Sequence, residues 1–134
     1  MSERKNLPSA VFALAFLLGS GPVFAEPGGA NFREHVVPIL NAHCVACHLT
    51  GLEQGGIALH ARAAHGNLVG VRSEQSHLNR VEPGDRQASY LYHKLSNTHH
   101  EVGGEGEPMP MGGGLDPEWV EIIGRWIDAG ASSE

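Results

Sequence analysis

The segment NAHCVACHLTG, residues 41 to 51, holds the only two cysteines of this 134-residue chain. Cys44 and Cys47 are three positions apart, and His48 follows the second directly. Two thiols at that spacing lie about one turn from each other, so this stretch must fold tightly around whatever the three side chains hold. Two familiar uses of such a pair fit the surroundings poorly. A redox-active C-x-x-C disulfide accompanies a βαβ pattern, and no alternating β-branched run lies near Cys44. A structural zinc site needs four ligands at characteristic spacings, but Cys47 and His48 are adjacent and no second cysteine pair follows.

The third use, C-x-x-C-H as a covalent haem attachment site, employs every residue of the motif. Each thiol adds across one vinyl group of the porphyrin to form a thioether. The adjacent histidine reaches under the ring and binds iron through a neutral imidazole nitrogen. The expectation is one haem c, bound through Cys44 and Cys47 and ligated by His48. A covalently held haem also supplies apolar bulk to a chain with 18 glycines and 6% aromatic residues, which has little core of its own at this length.

The N-terminus reads as an export signal. Arg4 and Lys5 precede nine unbroken apolar residues, AVFALAFLL, and Val23 and Ala25 are placed like an A-x-A cleavage site. Nine apolar residues fall short of the roughly 20 that cross a bilayer, and no cysteine near the cut invites a lipid anchor. The expected organisation is a signal peptide at 1–25, a flexible segment at 26–30 and one domain at 31–134, located in the periplasm with no stable membrane span after cleavage. Removing Glu3, Arg4 and Lys5 leaves 14 acidic against 7 basic residues. That balance argues against nucleic acid or an anionic membrane as partner.

Helical periodicity brackets the motif. Phe32, Val36, Ile39 and Leu40 recur at helical spacing behind Asn31, a candidate N-cap, with Pro38 as an irregularity that would kink or delay the helix. Trp119, Ile122, Ile123, Trp126 and Ile127 follow the i, i+3, i+4, i+7, i+8 pattern, with Asp116 to cap, Pro117 in the first turn and Gly130 to stop. Between them, residues 51 to 83 read as short helix plus loop, and a Pro-Gly turn precedes a short helix that buries Leu91 and Leu95. Residues 101 to 114 contain six glycines and two prolines and read as a loop.

That loop carries Met109 and Met111, where no apolar stripe exists for a methionine to fill. A loop thioether opposite a histidine completes the coordination of haem iron and raises its reduction potential, which suits electron transfer. Met109 is bracketed by Pro108 and Pro110, whereas Met111 leads into three glycines, so Met109 is the better-held candidate. Met111 and the histidines His93, His99 and His100 remain alternatives at this position. The remaining histidines, His35, His43, His60, His65 and His77, read as bystanders among polar residues.

The order of Cys44, Cys47, His48, a late loop methionine and a terminal Trp-bearing helix resembles small class I c-type cytochromes. More narrowly, HVVPILNAHCVACH, PGDRQASYLYHKL and MPMGGGLDPEWVEIIGRWIDAGA resemble single-haem modules related to Planctomycete-type cytochrome c domains, over nearly the whole mature chain. The resemblance implies an all-α, cytochrome c-like fold wrapped around one haem, with the methionine that opens "MP", Met109, as the distal ligand. It implies an electron carrier between redox partner proteins rather than an enzyme. The alternative is a haem enzyme, or the haem subunit of a peroxidase or dehydrogenase complex, with an open or exchangeable sixth position. Oligomeric state leaves no mark in the sequence.

Overall fold

A computed structural model describes Met1 and residues 29–134. The expected signal peptide and nearly all of the segment 26–30 lie outside the described residues. The first element among the described residues is a π-helical turn, Phe32–Val36, which runs directly into α1, Val37–His43. The side chain of Asn31 accepts the amide of Glu34 at 3.0 Å, as its N-cap placement predicts. Pro38 does not end the helix. It sits in the first turn of α1, behind the widened turn in which Val36 and Val37 donate five residues back to Asn31 and Phe32. A wider turn moves the proline ring away from the carbonyl it would otherwise strike and needs no donor from it.

The last element, α4, spans Pro117–Asp128. Asp116 accepts the amide of Glu118 at 2.9 Å, Pro117 occupies the first turn, and Gly130 leaves the helix at φ +100°. Its apolar stripe buries Ile123, Trp126 and Ile127 and half-buries Ile122. Trp119, at the edge of the same stripe, is instead 37% exposed and packs on His43 at the end of α1, with ring centroids 4.5 Å apart.

First and last helices meet directly. Phe32 and Trp126 pack with centroids 5.1 Å apart, the amide of Phe32 donates to the carbonyl of Glu134, and Arg33 reaches the carbonyl of Ser133. Trp126 Nε1 donates to the carbonyl of Ser132 at 2.8 Å, which folds the C-terminal turn back over the ring. Around this pair lies one apolar cluster that includes Val36, Ile39, Leu40, Leu59, Leu68, Val81 and Leu95.

Between the terminal helices come the short α2, Ala64–Leu68, and α3, Tyr90–Leu95. The turn before α3 is set by Asp85, which accepts the amides of Gln87 and Ala88, and by the fully buried Ser89, whose hydroxyl accepts from Glu82 N and donates to Asp85 O. Gly84, at φ +87°, donates to the carbonyl of Ile127 and ties this turn to α4. Arg86 then lies across α4, its Nη1 2.7 Å from Glu121 and its Nε 2.6 Å from Asp128. Gly124 makes room for it, because a Cβ there would stand 2.5 Å from the guanidinium. Among the described residues the fold is helix-rich with no β-strand, only isolated bridges such as Val69 with Val81.

Candidate functional site

Cys44 closes α1, its amide donating to the carbonyl of Leu40. The chain does not straighten there. Cys47 and His48 both donate to the carbonyl of Cys44, at 3.1 and 3.0 Å, so the motif forms one further turn and all three side chains leave the same short arc. The thiols are free, Cys44 half-buried and Cys47 exposed. Burial, with Cys47 beside it, pushes the Cys44 thiol up to about 11. Dithiol redox sites work through one thiol of lowered pKa, and burial gives Cys44 no such activation. Among the described residues no three His, Cys, Asp or Glu side chains converge as a metal-ligand set.

His48 is half-buried, and its carbonyl accepts the amide of Leu59 at 2.8 Å, which pins the residue after the turn. Nδ1 is buried and has no hydrogen-bond partner among the described residues. Desolvation lowers the pKa of the imidazole, opposed by the charge of Glu53, and favours the neutral form that binds metals. Glu53 in turn organises the following loop, accepting Thr50 N and Oγ1 and Gly51 N at 2.8 to 3.0 Å.

Met109 and Met111 differ as their surroundings in sequence predict. Met109 is half-buried against the apolar cluster, while Met111 is 66% exposed. The residues half-buried against that cluster include Cys44, Val45, Ile57, Leu91, Tyr92 and Met109. The motif turn and the methionine loop thus border the same core. A cleft of about 300 Å³ lies along the loop, lined by Leu95, Asn97, Met109 and the glycines Gly112 to Gly114.

The histidine alternatives separate on their hydrogen bonds. His93 engages both ring nitrogens, Nδ1 with Thr98 Oγ1 and Nε2 with Gln87 O, each at 2.8 Å. His99 is fully buried and braces the loop through Nε2, 2.8 Å from Gly106 O, while its Nδ1 has no hydrogen-bond partner among the described residues. His100 lies at the surface with Nδ1 3.1 Å from Gly104 O. His65, read as a bystander, bonds Ala131 O through Nε2 and packs edge-on against Phe32. All but one of these bonds end on a backbone carbonyl, which no residue pattern announces.

No described helix is long and apolar enough to cross a membrane. No family model, curated protein or solved structure matches the chain.

Proposed function

We propose that this chain is an exported single-haem c-type cytochrome that carries one electron between redox partner proteins. Cys44 and Cys47 would hold the haem through thioethers, His48 would bind the iron from one side and Met109 from the other. The observation that carries this reading is the motif turn. It presents two unjoined thiols within one turn of each other, beside a half-buried imidazole whose burial favours the neutral form. The half-buried apolar side chains Val45, Ile57, Leu91 and Tyr92 suit the edges of a large planar ring, whose burial contributes about 25 cal/mol per Å².

When bound, haem supplies the one-electron couple, and the protein sets its potential and orientation. His48 contributes a neutral nitrogen held by its own backbone. Met109 contributes a thioether on a loop braced from α3 and from His99. The cleft beside Met109 favours a second reading, a haem enzyme in which the sixth position exchanges.

The deciding experiment is expression with a cytochrome c maturation system. The purified protein should show a low-spin c-type spectrum, keep its pigment through denaturing electrophoresis, expose no free thiol and have the mass of a chain beginning at Glu26 plus one haem. Pigment that washes out on denaturation would reject covalent attachment. A high-spin spectrum that shifts on adding small ligands would select the enzyme reading.

A further inference from the structure

The loop that presents Met109 contains Gly103, Gly104 and Gly106 before it and Gly112 to Gly114 after it. Pro108 and Pro110 stiffen the chain beside Met109, but glycines on both sides leave that short piece free to move as a whole. Lys94 supplies what the loop lacks. It lies in α3 and is only 6% exposed, although an ammonium group is costly to bury without partners. Its Nζ donates to the carbonyl of Glu105 at 2.5 Å and to that of Glu107 at 2.9 Å, and its own carbonyl accepts the amide of Met109 at 3.0 Å. One residue therefore ties the loop to the helix at three points.

Tyr90, one turn earlier on α3, shares the work. Its hydroxyl donates to the same Glu105 carbonyl at 2.7 Å, and its ring lies 5.3 Å from the ammonium nitrogen. Gly106 has to be small and left-handed between these groups, since its φ is +78° and a Cβ would come 3.1 Å from Nζ. The tethers stop at Met109. Met111, just beyond them, is exposed.

Building on the proposed Met109 ligation, we infer that Lys94 is a positioning residue for the sixth haem ligand, clamping residues 105 to 109 so that the Met109 sulfur stays on the iron. A lysine serving stability alone would be dispensable to ligation. A clamp is not.

Lys94→Met keeps the length and the apolar stem and removes the donors. In the ferric holoprotein it should weaken the long-wavelength absorption of methionine-ligated haem. It should also let added imidazole, which must displace the methionine, bind about tenfold more tightly, the loss expected for charge-assisted hydrogen bonds. Lys94→Arg should restore part of both, and Tyr90→Phe should shift both in the same direction by a smaller factor. Unchanged imidazole affinity and absorption in Lys94→Met would overturn the clamp. If that variant does not accumulate with haem, unchanged imidazole affinity in Tyr90→Phe overturns it. Wild-type holoprotein with covalent haem but no methionine absorption rejects the clamp together with Met109 ligation, whereas wild type without covalent haem marks the failure of the proposed function itself.

Discussion

The amide of Met109 donates to the carbonyl of Lys94 over 3.0 Å, so the half-buried thioether of the glycine-rich loop is anchored to a helix rather than to its own strand of loop. Met111, two residues on, is mostly exposed. Met109→Ala should abolish the long-wavelength absorption of the ferric protein and lower its potential by a substantial part of the roughly 0.8 V that axial ligands span. Met111→Ala should leave both within error. Visible spectra and a redox titration read this directly, and the reverse pattern would assign the ligand to Met111.

Acid should loosen the turn after the motif before it unfolds the core. Three donors from Thr50 and Gly51 hold the Glu53 carboxyl down to about 2, against an ordinary 4.5. A depressed carboxyl contributes stability that is complete above the ordinary value and is lost as pH falls through the folded one. The change therefore belongs between about pH 4.5 and pH 2. Amide signals of Thr50 and Gly51 should titrate in that window by NMR. In Glu53→Gln the window should be silent.

Gly124 is an exception to the usual rule for glycine inside a helix. Replacing a mid-helix glycine by alanine normally stabilises by about 1 kcal/mol, but here the new Cβ meets the Arg86 guanidinium at 2.5 Å. Gly124→Ala should forfeit that gain, because the guanidinium must shift off Glu121 or Asp128 to admit the methyl. The same change made in an Arg86→Ala background should recover the ordinary gain. Denaturant titrations of the four proteins of the cycle would expose the coupling, and additive effects would contradict it.

Trp126 is the largest fully buried side chain and bonds Ser132 as well as packing on Phe32. Trp126→Ala should cost about 3–5 kcal/mol, whereas Trp119→Ala, at an exposed edge, should cost much less. Thermal unfolding of the two holoproteins ranks them.

Both terminal helices could be read in the sequence because their signals are local: Asn31 and Asp116 cap within three residues, and the apolar stripe of α4 repeats at helical spacing. The motif turn was legible for the same reason. What escaped the sequence is bracing to backbone carbonyls. His65 reaches Ala131 across 66 positions, and Lys94 and His99 reach Glu105, Gly106 and Glu107. A carbonyl is present at every residue, so the partner carries no identity to recognise. Trp119 fitted the periodic stripe yet lies exposed, because periodicity gives a face and not how far the neighbouring helix extends along it.

The clasp between Phe32 and Glu134 makes the helical unit nearly a closed ring. A short linker could join these ends, and the chain could be reopened among Gly112 to Gly114, which are exposed and have nothing standing where a Cβ would go. Such a circular permutant would keep every contact of the Lys94 clamp, and it would synthesise α4 first, ahead of the α1 helix against which it packs.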